Sequence, residues 1–178
     1  MTTWIALLRG INVGGKNIVP MKTLRDLLTG LGCENVRTYI QSGNCVFQSR
    51  HRNADAVARD TARAIDTEFG FSPPVFCLSQ TNLERALAEN PYREAAAADP
   101  KSVHFYFLSE PAAEADLAGL TAIKDSSEDY ALTDRVFYLL APNGIGRSKV
   151  AARADAKLGV VTTARNYRTV LKLRELAR

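Results

Sequence analysis

Two strand-like runs lie only three residues apart, at residues 36–41 and 45–48, and the residues between them are Ser42, Gly43 and Asn44. All three are turn formers, and so short a connection joins antiparallel neighbours, because a parallel pair needs a crossover of a dozen residues or more. The device recurs at residues 129–132 and 136–140, which turn at Thr133 and Asp134. Two hairpins set aside a doubly wound parallel sheet, and the remaining elements have to be fitted around antiparallel sheets.

Residues 3–9 read as a buried strand. Residues 20–31 read as a helix with Pro20 at its first position, Gly32 near its end, and Met21, Leu24, Leu27, Leu28 and Leu31 at helical spacing. After the first hairpin, Val57, Ala58, Ala62, Ile65 and Phe69 mark a helix over residues 53–69 that Gly70 ends, and residues 75–78 form a fourth strand. The order β-α-β-β-α-β is that of the ferredoxin-like split unit, an antiparallel four-stranded sheet with two helices on one face. A short helix over 82–89 follows, and then Asn90, Pro91, Tyr92 and the alanine run to Pro100, which read as a boundary or linker. The second half starts afresh with a strand over 102–108, a helix over 112–121, the second hairpin and a helix over 147–157. The expected fold class is α+β, two ferredoxin-like (α-β plait) units in tandem. The first spans residues 1–80, a helix and linker occupy 81–100, and the second unit with a C-terminal basic helix spans 101–178.

Composition excludes several classes. With 46% hydrophobic and 24% charged residues in 178, the chain is an ordinary globular protein rather than a fibrous or disordered one. The first apolar run is too short to span a bilayer and lacks a basic leader and a cleavage site, so a cytoplasmic location without membrane contact is expected. Cys33, Cys45 and Cys77 are widely spaced in apolar surroundings, which suits reduced core thiols, and with only two histidines no metal and no cofactor are expected. Charge is unevenly spread. Residues 1–50 carry a balance of +4, residues 51–140 of −7 and residues 141–178 of +7. If the ends meet, they make one basic surface that attracts phosphate, nucleotide or nucleic acid.

The candidate ligand residues lie in those basic ends. Gly10, Gly14 and Gly15 free the backbone to curl its N–H groups toward one point, and Arg9 and Lys16 add charge beside them. Gly10, Gly15 and Lys16 match phosphate-loop spacing, but Asn17 replaces the magnesium-holding hydroxyl and Pro20 delays the helix, so a true phosphate loop is set aside. The polar hairpin around Gln41, Ser42 and Asn44 reads phosphate or base edges, or simply closes the turn; Cys45, Val46 and Phe47 make a poor RNA-recognition surface. Arg147 and Lys149, and Arg165 and Arg168, are read as lying where helices begin. A cation there costs about 0.3–1 kcal/mol unless something negative answers it. On this reading Arg165, Arg168 and Lys172 share one face of the last helix, opposite Tyr167, Val170 and Leu171. The expectation is that the basic motifs border one concave surface.

These stretches also carry a family resemblance. LLRGINVGGKN, MKTLRDLLTGLG, VRTYIQSGNCVF, NPY, GIGRSK and TTARNYRTVLKL together resemble the bacterial domain of unknown function 1697 family, end to end. Tyr167 stands where members often have tryptophan. The resemblance implies a cytoplasmic protein of two ferredoxin-like halves with no established activity. It carries over the polar motif positions Arg9, Asn12, Gln41, Ser42, Asn44, Arg147, Ser148, Lys149, Arg165, Asn166, Arg168 and Thr169.

Enzyme readings find little to work with. A hydrolase triad needs a histidine, and neither His51 nor His104 has a nucleophile pattern around it. Cys45 inside a strand reads as a small hydrophobe unless a cation lowers its pKa. The expected function is binding of a phosphate-bearing ligand, nucleotide or nucleic acid. The alternatives are an enzyme on a small phosphorylated metabolite, which positioning and charge alone can serve, and a protein-interaction module.

Overall fold

The computed structural model describes residues 1–178, and the chain divides into two compact units, Met1–Arg85 with Leu171–Arg178, and Ala86–Val170. The first unit contains β1 (Thr2–Leu8), α1 (Met21–Gly30), β2 (Glu34–Tyr39), β3 (Asn44–Ser49), α2 (Ala54–Phe69) and β4 (Val75–Ser79). α3 (Gln80–Glu89) follows β4 directly and crosses the unit boundary. The second unit contains α4 (Arg93–Ala98), β5 (Val103–Leu108), α5 (Leu117–Ile123), β6 (Asp129–Leu132), β7 (Val136–Leu140), α6 (Lys149–Leu158) and β8 (Thr162–Asn166). α7 (Tyr167–Leu176) follows β8 directly and crosses the boundary in its turn.

Each unit is an antiparallel α-β plait. The strand orders are β2-β3-β1-β4 and β6-β7-β5-β8, with Ile5 of β1 opposite Val46 and Leu78, and Phe105 of β5 opposite Tyr138 and Arg165. In the first unit Trp4, Ala6 and Leu8, with Cys45 and Phe47, point to one side of the sheet and pack with Leu24 and Leu28 of α1 and Val57 and Ile65 of α2. Each fully buried leucine contributes about 1.5–3 kcal/mol. Ile5 and Leu7 on the opposite side are equally buried, which explains why β1 reads as a continuous apolar run rather than an alternating one. In the second unit Tyr106, Leu108, Phe137 and Leu139 face Leu120 of α5 and Val150, Ala154 and Leu158 of α6. On its other face Phe105 meets Tyr138 edge-on with ring centroids 5.0 Å apart, and Tyr138 Oη donates to the Ala86 carbonyl at 2.8 Å.

Local chemistry sets the helix ends. The Asn53 side chain accepts from the Asp55 and Ala56 amides and Gly70, at φ 75°, closes α2 in the left-handed region. Ser148 and Gly159 do the same for α6. Pro20 stands one residue before the first helical residue of α1.

Four expectations need correction. The alanine run is a helix, α4, not a linker; alanine is the strongest helix former, and Ala96 is fully buried. α5 starts only at Leu117, where the Asp116 side chain accepts from the Gly119 amide, rather than at 112. The expected helix over 147–157 splits into a single 3-10 turn, Ile145–Arg147, and α6. Most consequential, residues 162–166 form β8, the outer strand that completes the second sheet. The β-branched run Val160, Val161, Thr162 and Thr163 after Gly159 was its signal.

Candidate functional site

In the first unit the candidate residues gather at the end of β1. The Leu8 amide donates to the Gly43 carbonyl at 2.8 Å and the Arg9 amide to the Pro74 carbonyl at 2.9 Å, so the end of the strand is held on both sides. It then makes a miniature hairpin. The Lys16 amide donates to Val13 O and the Asn12 amide to Asn17 O, each at 3.1 Å, around Gly14 and Gly15 at φ 58° and 72°. Two successive positive φ angles are what a two-residue hairpin turn of the primed type demands. The glycines therefore serve the turn.

Asn12, itself at φ 55°, ties this hairpin down. Its Nδ2 donates to Val19 O at 2.9 Å and to Gln41 O at 2.8 Å, and its Oδ1 accepts from the Val19 amide at 2.8 Å. The second hairpin is locked as firmly. Asn44 is fully buried, with Nδ2 donating to Tyr39 O and to Ser42 Oγ. Gly43 sits so close that an added Cβ would lie 2.7 Å from Leu8 Cβ and 2.8 Å from Ile11 Cδ1. Asn12, Ser42 and Asn44 thus spend their polar atoms on the scaffold. What the scaffold presents is Lys16, exposed and with no side-chain partner; Arg9 is half-buried and Gln41 exposed.

In the second unit the candidates fall at two junctions. Ser148 is buried and accepts from the Ala151 amide as the cap of α6, with Arg147 before it and Lys149 as the first helical residue, both exposed. Asn166 ends β8 and accepts from the amide of Thr169, which is itself buried, as the cap of α7. His104, at the start of β5, pairs with Leu139 near the end of β7 and with Asn166 at the end of β8, so β7 and β8 both end on the side of the sheet where β5 begins.

Two cations of the four, Lys149 and Arg168, lie in the first turn of a helix. Arg165 is not at a helix start: it lies in β8, where Nη1 donates to Thr163 Oγ1 at 3.0 Å and to Ala164 O at 2.8 Å, so it shares no helical face with Arg168 and Lys172. Lys149 is the first residue of α6, and the Asp125 carboxyl nearby is held below its ordinary range by the Ser127 amide and hydroxyl, with Lys124 and Lys149 making the smallest contributions. Arg147 lies in the 3-10 turn before α6. Arg168, in the first turn of α7, is exposed and its side chain has no partner.

Two buried side chains each leave one nitrogen without a partner, and neither was among the expected ligand residues. His104 is 8% exposed with Nε2 unpaired, and burial pulls its pKa down. Asn90 is 1% exposed: Oδ1 accepts from the Tyr92 amide at 3.0 Å while Nδ2 has no partner. It borders an open cleft of about 610 Å³ lined by residues 89–95. Tyr92 beside it has a raised pKa, through burial first and then the charge of Asp129 and a hydrogen bond to it. The motif NPY was the available signal.

Burial raises the pKa of the Cys33 and Cys77 thiols, which makes both poor nucleophiles. All three cysteines are free, and burial, with smaller contributions from Cys45, Cys33 and Asp55, pushes the Cys77 thiol up to about 12. No three His, Cys, Asp or Glu side chains gather in a metal-holding group, and no helix is long and apolar enough to cross a membrane.

Among known proteins, the family model described as a protein of unknown function, DUF1697, matches residues 1–138. The motifs at 144–149 and 162–173 lie beyond that stretch. A solved structure of a conserved bacterial protein, SP0830, from Streptococcus pneumoniae is similar over 99% of both chains, with 26% identity and a TM-score of 0.66. No curated protein matches the chain.

Proposed function

Taking as its premise that the chain belongs to the DUF1697 family of proteins of unknown function, we propose that it binds a phosphate-bearing ligand, a nucleotide or nucleic acid, through cations on its basic terminal segments. The observation that carries this reading is Lys16. An exposed ammonium without a partner stands on a turn that Asn12 ties down with three hydrogen bonds, so the backbone that carries it is set before any ligand arrives. A loop already ordered has less backbone freedom to lose on binding, which favours affinity. Arg9 in the first unit and Arg147, Lys149 and Arg168 in the second supply further positive charge, in segments with balances of +4 and +7. Arg165 has a weaker claim, because its guanidinium already bonds within β8.

The test is binding of labelled single- and double-stranded oligonucleotides and of nucleoside triphosphates at low and moderate salt, since release of counterions makes such affinity fall with salt. Binding that weakens with salt, and weakens further in Lys16→Ala and Arg168→Ala, is the expected outcome. Absence of binding at low salt refutes the proposal.

A further inference from the structure

α1 and α2 pack on one side of the first sheet, and the faces they turn away from it border a groove of about 580 Å³. Leu27, Leu31 and Ala64 line it together with Asp26, Asp60 and Glu68, against the single cation Arg63. Leu31 is 37% exposed, an apolar surface the unit leaves uncovered.

The charges are as informative as the shape. Asp60 is half-buried, and neither its carboxylate nor that of Glu68 has a hydrogen-bond or ion-pair partner. Asp26 holds Lys22 at 2.9 Å, but in a pair so exposed that it contributes little. The groove is therefore locally acidic on a chain of net charge +4.

We propose that this groove docks a basic amphipathic helix of a partner protein, with its aliphatic side chains on Leu27, Leu31 and Ala64 and its Lys or Arg side chains over Asp60 and Glu68. Charge complementarity selects a cationic occupant and turns away nucleic acid. The walls select a helix: both are helical ridges, which accept another ridge, and no strand edge borders the groove to pair with an extended peptide. A second copy of this chain does not supply the helix, because its own basic helix α7 has Val170 and Leu173 fully buried.

The probe is a fluorescein-labelled Leu/Arg peptide of about 14 residues, roughly four helical turns, patterned to be amphipathic as a helix. A scrambled peptide of the same composition is the control. Titrated into the full chain, the patterned peptide should bind saturably and about tenfold more tightly than the scrambled one, and the double variant Asp60→Asn, Glu68→Gln should lose about tenfold. Ala64→Arg should abolish binding by placing a bulky cation in the groove against a cationic peptide. Each variant is compared with the parent by circular dichroism, so that loss of fold is not taken for loss of binding, and the Asn/Gln pair preserves shape. Equal binding of the two peptides, no binding at low salt, or binding indifferent to the folded Asp60 and Glu68 variant overturns the proposal.

Discussion

Replacing Asn12 separates scaffold from ligand contact most cleanly. Asn12→Ala removes two donated hydrogen bonds and one accepted from the Val19 amide, and leaves a residue with a Cβ at φ 55° without the local polar compensation that suits asparagine there. Each bond is worth about 0.5–1.5 kcal/mol net. The carbonyl of Gln41 lies at the surface, where water replaces the lost donor, so its share falls at the low end. A total of about 2.5–5.5 kcal/mol follows once the left-handed strain of alanine is added. In a chain of this size that corresponds to a fall in Tm of about 5–22 °C. Asn12→Gly keeps the backbone angle without strain and should recover roughly 1 kcal/mol of the loss, which apportions the effect between backbone and hydrogen bonds. Urea unfolding followed by circular dichroism and by Trp4 fluorescence is the assay. The first unit contains Trp4, so a midpoint that falls by fluorescence reports the unit where Asn12 acts. A loss under about 0.5 kcal/mol, with alanine and glycine indistinguishable, refutes the scaffold role and returns Asn12 to the list of ligand-facing amides.

Three further outcomes are expected. His104 is buried with Nε2 unpaired and its pKa lowered by that burial, so the unfolded chain takes up the proton first; stability should be complete above about pH 6.5 and decline as pH falls toward the lower folded value, and His104→Phe should flatten that decline in Tm measured from pH 7 to 5. Cys77, with its thiol pushed up to about 12, holds only about one part in ten thousand as thiolate at pH 8, so iodoacetamide should leave it unmodified in the native protein and alkylate it in denaturant, as peptide mass spectrometry will show; rapid native labelling contradicts the burial argument. Ile40 is a β-branched residue at φ 50° with 53% of its surface exposed, so Ile40→Asn should raise the urea midpoint by the equivalent of about 1 kcal/mol, and a lowered midpoint shows that its side chain holds something in place.

Much of the fold is local information. The hairpins at Ser42–Gly43–Asn44 and Thr133–Asp134, the cap and stop of α2 at Asn53 and Gly70, and the spacing of Met21, Leu24 and Leu28 are settled by neighbours within one or two turns of chain, and from them the plait order of the first unit follows. Residues 162–166 show the limit. A threonine pair followed by Ala, Arg and Asn is ambiguous between strand and helix start until β5 offers an open edge opposite His104 and Leu108 to pair with. The candidate site divides the same way. That Lys16 is exposed and charged is written in the glycine-rich loop; that Asn12 is an internal tie rather than a ligand contact depends on the Gln41 carbonyl, 29 residues away, and that Arg165 is a strand residue bonded to Thr163 depends on the whole second sheet having formed. Composition and periodicity report which groups need partners, whereas hydrogen bonds between distant segments decide which of those groups the fold itself satisfies.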